Sequence, residues 1–371
     1  MRVLVWQEPF GPGRGGVHTM ADALLPALLG RGHDLAVVSR QDATDGPQRE
    51  TWKGIPVYRF PLWQALASAE PAAIIRWRRE IERLERDFAP ELVHLNSFGP
   101  TALYHLEARR AATPPLLVTL HSSNVLVPGS ATVLRRTLRS ASWTTACSHA
   151  LLAQARWVAP EIAARSSVIH NGVDPPVRAP SPLPFDEPRV LCLGQLVPHK
   201  GFDVAVRACA VVRARFPRLR LIVAGEGPAR RDLEALVERE GIGAAVDFVG
   251  RVAHADVPEL LDTVTLVTLP SRREAFSLVA LEAAVMGRPV VAARVDGLPE
   301  AVADRETGLL VEPESPAALA AAITFLLTHP GAAMAMGAAG RRRAAREFGL
   351  ARHVDAYDRL YRTLRDGLVP G

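Results

Sequence analysis

Two α/β domains in tandem, each doubly wound around a parallel sheet, are what this chain predicts, and three observations carry that prediction. Short apolar runs rich in β-branched residues alternate with stretches of helical periodicity, and glycine-rich turns punctuate them. The alternation breaks once, at Asp174–Pro188, where six prolines and little apolar periodicity make a stiff, extended connector, and then it restarts. The length of 371 residues suits roughly two or three domains, and a hydrophobic content of 48% is ample for packed cores.

In chain order, Arg2–Trp6 reads as the first strand and Gln7–Gly16 (QEPFGPGRGG) as a long glycine-rich turn. A helix runs on to about Leu29, and Leu35–Val38 is the second strand. Gly11, Gly13 and Gly16 formally match the dinucleotide fingerprint G-x-G-x-x-G. Two features count against that use: four residues separate the strand from Gly11, and no acid for a ribose ends the second strand at Ser39-Arg40. The charged stretch Ile74–Phe88 is a helix whose interleaved Glu and Arg suit a solvated surface better than anionic lipid. Leu92–Leu95 and Leu116–Leu120 are strands that end at Asn96 and at His121-Ser-Ser-Asn124, where open α/β sheets place their ligands. Thr144–Ser148 and Ser167–Ile169 complete the first half.

Beyond the connector, Arg189–Leu193 is a strand followed by Gly194–Gly201 (GQLVPHKG), then a helix from Phe202. Leu219–Ala224 ends at Gly225-Glu-Gly-Pro228, and Val246–Val249 ends at Gly250-Arg251-Val252. The informative stretch is Val264–Glu282: an apolar strand, the turn Pro270-Ser-Arg-Arg-Glu274, and a helix with Ser277 as its N-cap. A helix start offers unpaired N–H groups and about half a positive charge, which suits a phosphate. Glu274 in the turn and Glu282 inside the helix can accept hydroxyl hydrogen bonds on either side of that anion. A sugar–diphosphate–ribose has this polarity. Pro289–Ala292, Gly297-Leu-Pro-Glu300 and helices to about Arg346 follow.

Charge and cysteine usage narrow the classes. The net charge of +5 is carried almost wholly by arginine, with Lys53 and Lys200 the only lysines, and no basic run is interleaved with aromatics as in nucleic-acid binders. Cys147, Cys192 and Cys209 lack metal-ligand spacing and read as buried thiols of a reducing compartment. No apolar run reaches the roughly 18 residues of a membrane span, and Met1–Trp6 reads as a strand, not a signal peptide. The expected location is cytoplasmic, with at most weak peripheral contact at the inner face of the membrane. Trp6, Trp52, Trp63 and Trp143 read as packing residues and not as sugar platforms.

Taken together, the GG near the N-terminus, HNGVD at 170–174, GQLVPHKG, GEGP, EAFSLVALE and DGLPE, in this order, resemble the family-four retaining glycosyltransferases of GT-B fold. The resemblance covers essentially the whole chain and includes Leu350–Leu364, similar to the terminal helix that in this family crosses back to the N-terminal domain. It implies Rossmann-like domains at 1–174 (completed by 350–371) and 189–349, joined by the 175–188 linker and facing each other across a cleft. It implies sugar transfer from a nucleotide sugar to a glycan, glycolipid or small-molecule hydroxyl, as in cell-surface polysaccharide or glycoconjugate synthesis, with retention and no covalent intermediate. No cofactor is implied and no metal, and the chain has no Asp-x-Asp triplet to hold one.

Residue by residue, the resemblance assigns Lys200 and the N–H groups of Ser277, Leu278 and Val279 to the diphosphate, with Gly16 closing over it. Glu282 takes the ribose, and Glu274 with the backbone of Ala275 and Phe276 takes the sugar hydroxyls. The base lies against Arg251, Val252, Gly225 and Gly227, and His121 reaches the sugar. Arg14, His18, Asn96 and Asn124 are candidates for the acceptor. Gln195 stands where the family usually has Arg, and Arg272 or Arg273 is the expected partial replacement. On the residues alone, Glu282 also reads as a surface acid, Glu274 as a cap and Gly225–Gly227 as an ordinary turn. A uridine donor is favoured over guanosine. A nucleotide-sugar hydrolase or epimerase, a nicotinamide oxidoreductase and a non-catalytic binding partner stay open as alternatives.

Overall fold

The computed structural model describes residues 1–8, 10, 15–41, 48–96, 99, 101–108, 114–122, 131–175 and 179–368. Gly11, Gly13, Arg14 and Asn124 lie outside them. The chain divides into two units, one formed by Met1–His170 with the segment from His353 onward, the other by Asn171–Arg352.

The first unit holds strands β1 (Arg2–Trp6), β2 (Asp34–Arg40), β3 (Gln48–Trp52), β4 (Ile55–Phe60), β5 (Leu92–Leu95), β6 (Leu116–Leu120), β7 (Trp143–Ala146) and β8 (Ser166–Val168). They form one sheet in the order β3-β4-β2-β1-β5-β6-β7-β8, parallel except for the antiparallel β3–β4 pair. Sequence reasoning missed that pair. β3 is a polar edge strand without apolar alternation, and its hairpin turns on Lys53-Gly54, both at positive φ (46° and 83°) as a two-residue turn requires. The central strands β5 and β6 are wholly buried and β1 is buried beyond Arg2, as parallel strands covered on both faces must be. Trp6 and Trp143 pack in this core, whereas Trp63 is 46% exposed and is not a packing residue.

The helix Leu350–Arg365 adds its polar ring edges to this unit. Tyr361 Oη lies 2.6 Å from His94 Nδ1, Thr119 Oγ1 lies 2.8 Å from His94 Nε2, and Tyr357 Oη lies 3.3 Å from Thr119 Oγ1. Asp358 pairs with His33 at 2.7 Å and with Arg31, which also pairs with Asp355. Burial holds His94 well below the ordinary imidazole range.

The second unit holds β9 (Arg189–Leu193), β10 (Arg220–Ala224), β11 (Val246–Gly250), β12 (Leu266–Leu269), β13 (Val290–Ala293) and β14 (Gly308–Val311). They form an all-parallel sheet in the order β11-β10-β9-β12-β13-β14. Its core is almost purely aliphatic, from Val190 and Leu221 to Ile323 and Leu326, with Cys192 and Cys209 buried as free thiols. The proline-rich segment belongs to this unit. Ser181 donates from both N and Oγ to the Asp262 carboxylate at 2.7 Å, buried Arg288 reaches Ser181 O at 2.9 Å, and Leu183 and Phe185 pack on the core. No single helix among the described residues is long and apolar enough to cross a membrane.

Candidate active site

Five adjacent strands of the second sheet end in turns that carry the residues singled out in the sequence. β9 leads into Gln195 and Lys200, β10 into Gly225–Gly227, β11 into Arg251-Val252, β12 into Pro270–Glu274, and β13 into Asp296-Gly297. Carboxyl ends of neighbouring parallel strands are where open α/β sheets bind ligands. Here the turns are also locked to one another. A Cβ on Gly201 (φ 66°) would fall 2.0 Å from Pro270 O, and one on Gly225 (φ 140°) 1.8 Å from Gly194 O, so only glycine lets these backbones approach. Gly227 lies likewise against Leu196 O, at 2.4 Å. Arg272 N donates to His199 O at 2.8 Å, which seats the β12 turn on the Lys200 turn.

At the centre Lys200 Nζ donates to Glu274 Oε2 at 2.6 Å, with side chains only 24% and 12% exposed, so the pair is held and not merely adjacent. Glu274 is fixed from behind, its N–H donating to Asp296 Oδ2 at 3.1 Å and its carbonyl accepting from Gly297 N at 3.0 Å. Phe276 is buried, packed edge-on against Phe348 at 5.7 Å. Ser277 caps the helix Leu278–Val285 by accepting from Ala280 N at 3.3 Å. The cap occupies the third helical N–H and leaves those of Leu278 and Val279 for a ligand. Ala275 is half-buried. Glu282, one turn into that helix, meets His254 Nδ1 at 3.2 Å. Lys200, Glu274 and the Ser277 helix start are therefore one cluster, with Gln195, Arg251 and half-buried Val252 on the neighbouring turns.

Asp296, His199 and His254 escaped the sequence reading. Asp296 opens the DGLPE motif and its positive φ of 41° marks a constrained turn, but the motif alone does not show that the carboxylate faces a backbone N–H. Nothing in the sequence marks His254.

The first unit has its own polar cluster at the carboxyl ends of β1, β5 and β6. Asn96 Nδ2 donates to buried Gln7 Oε1 at 2.6 Å, and Asn96 Oδ1 lies 3.1 Å from His121 Nε2. Loss of water around the ring, reinforced by nearby His353, pushes His121 down to about 3, so the imidazole is neutral at ordinary pH. Its Nδ1 is buried and without a hydrogen-bond partner among the described residues. Thr101 donates to Glu8 Oε2 at 2.6 Å, and burial drives the Glu8 carboxyl up to about 7. Gly16 is the exposed first residue of the helix Gly16–Gly30, and His18 sits half-buried in its first turn.

Comparison with known proteins agrees with both halves. A family model described as Glycosyltransferase Family 4 matches residues 14–176, and one described as Glycosyl transferases group 1 matches residues 174–343. The chain is 31% identical over 362 residues to the GDP-mannose-dependent alpha-(1-6)-phosphatidylinositol monomannoside mannosyltransferase of Mycolicibacterium smegmatis, covering 91% of this chain and 92% of that one. Sucrose-phosphate synthase from Thermosynechococcus elongatus is structurally similar with a TM-score of 0.84 at 25% identity, covering 99% of both chains. Anabaena HepE, solved with UDP-glucose, is similar with a TM-score of 0.79 at 23% identity, covering 98% of this chain and all (100%) of that one. With two α/β units, a lysine–glutamate pair at a helix start and family models spanning both halves, the chain belongs to the family 4 glycosyltransferases, of GT-B fold.

Proposed function

We propose that the protein transfers a hexose from a nucleoside-diphosphate sugar to an acceptor hydroxyl, with retention at the anomeric carbon, without a metal and without a covalent glycosyl-enzyme. The observation that carries this reading is the Lys200–Glu274 pair at 2.6 Å beside the capped start of the Leu278–Val285 helix. As the glycosidic bond breaks, negative charge accumulates on the departing diphosphate, and preorganised donors at that spot lower the barrier. Lys200 has three N–H donors and spends one on Glu274, leaving two for phosphate oxygens. The N–H groups of Leu278 and Val279 add the helix-end contribution of about half a charge. Glu274, with the backbone of Ala275 and Phe276, holds the sugar hydroxyls, and Glu282 takes the ribose. Arg251, Val252 and the Gly225–Gly227 turn receive the base.

Neutral His121 serves the sugar with a hydrogen bond and adds no charge. The family resemblance also assigns Gly16 to the phosphates. The acceptor attacks from the leaving-group side, and a phosphate oxygen receives its proton. His18 and Asn96, with Arg14 and Asn124, are assigned to the acceptor. The expectation of a uridine donor rests on no contact, and the mannosyltransferase relative favours guanosine. That relative's lipid acceptor also favours a glycolipid acceptor here, met by a cytoplasmic enzyme at the inner face of the membrane. The test is transfer from GDP-mannose and from UDP-glucose, in chelator and in added magnesium, with the product's anomeric configuration read by NMR. An inverted product, or activity that vanishes in chelator and returns with magnesium, contradicts the reading. Donor consumption without any acceptor favours a hydrolase.

A further inference from the structure

Charge balance at the proposed donor site is incomplete. A nucleoside diphosphate carries at least two negative charges. Against it stand the Lys200 ammonium, already neutralised in part by Glu274 at 2.6 Å, and a helix end worth about half a charge. Gln195 on the same turn is exposed and uncharged. Two arginines precede Glu274, and they differ sharply. Arg272 is consumed: it pairs with Asp203 at 2.9 and 3.0 Å and with Glu314 at 3.0 Å, and donates to Pro198 O at 2.6 Å. Those bonds tie the β12 turn to the Lys200 turn and leave the guanidinium no freedom to reach a ligand. Arg273 is exposed and has no carboxylate partner among the described residues. It is the immediate neighbour of Glu274. Its charge also reaches His199, which burial, Lys200 and then Arg273 hold below the ordinary imidazole range.

We propose that Arg273 is the second cation of the donor site, drawn onto the diphosphate beside Lys200, while Arg272 serves only to hold the two turns together. This rests on the donor site proposed above. An exposed arginine free of an intramolecular ion pair surrenders little on binding, and its planar fork suits phosphate oxygens.

The test is calorimetric titration of UDP and GDP into the wild-type protein and into Arg273→Gln, Arg272→Gln, Lys200→Gln and the double variant Gln195→Arg/Arg273→Gln. Arg273→Gln is expected to weaken the better nucleotide by about ten- to a hundredfold, the range for a charge-assisted hydrogen bond, and to flatten the dependence of affinity on salt. Arg272→Gln is expected to lower Tm and leave affinity within about twofold, as a group that meets no ligand should. Gln195→Arg is expected to restore most of the loss, since it returns a charge to the same set of turns. If Lys200→Gln weakens binding and Arg273→Gln does not, the role given to Arg273 is wrong and the donor site stands. If the wild-type protein binds neither nucleotide, the donor site fails and the inference falls with it.

Discussion

The two units spend their polar residues differently. In the second unit the core is aliphatic, and the candidate site lies in turns at the carboxyl ends of the strands, where backbone contacts through glycine set the geometry. In the first unit polar side chains enter the core itself: His94, Thr119, Thr145, Tyr357 and Tyr361 are all buried and linked ring to hydroxyl. A site made from backbone turns is written in short contiguous motifs. A site made from side chains brought together over hundreds of residues is not. The second unit is therefore most sensitive at its glycines, and the first unit, with three deeply buried histidines, is the one that feels mild acid most.

The strongest break of that contrast is Gly225→Ala. A Cβ there meets a carbonyl oxygen at 1.8 Å at a φ of 140°, so the β9 and β10 turns must separate. The expected loss exceeds about 4 kcal/mol and removes nucleotide binding, read by thermal unfolding and titration. An alanine variant of wild-type stability would show that these turns are not rigidly coupled. Next comes Lys200→Ala, expected to raise the barrier by about 3–4 kcal/mol, a fall of 10² or more in kcat, with the fold intact by circular dichroism. A loss confined to KM would place Lys200 in ground-state binding only.

Acid should separate the units. His94, His121 and His353 are held neutral, His121 down to about 3 and His353 down to about 4, chiefly by burial. The unfolded chain takes up those protons near pH 6.5, so stability is intact above that value and falls as pH drops toward the folded values. For His121 and His353 the expected loss is about 2 kcal/mol each between about pH 7 and about pH 5. All six tryptophans lie in the first unit, so their fluorescence reports it selectively. A tryptophan transition that does not precede loss of overall helicity would refute the contrast. The mildest probe is Ser277→Ala, which removes the cap of the site helix and is expected to cost about 1 kcal/mol in Tm-derived stability.

These differences explain what was legible. Both α/β arrays, the capped helix at Ser277 and the pairing of Lys200 with Glu274 follow from strand–turn–helix patterns and contiguous motifs. The β3–β4 hairpin was not legible, because a polar edge strand lacks the alternation that reveals a strand. Nor was the division of labour between Arg272 and Arg273, which is set by Asp203 and Glu314, residues 69 and 42 positions away. The Gln7–Asn96–His121 chain was invisible for the same reason: its first two members are 89 residues apart.

The hydrogen bond from Tyr361 to His94 spans 267 residues. During synthesis from the N-terminus, the ribosome therefore releases the whole of Asn171–Arg352 before the tyrosines that satisfy the earlier sheet's histidine emerge. The later unit can finish folding while the earlier one still waits for its last helix, so stop codons placed just before Leu350 should yield a chain whose second half is native and whose first half is sticky.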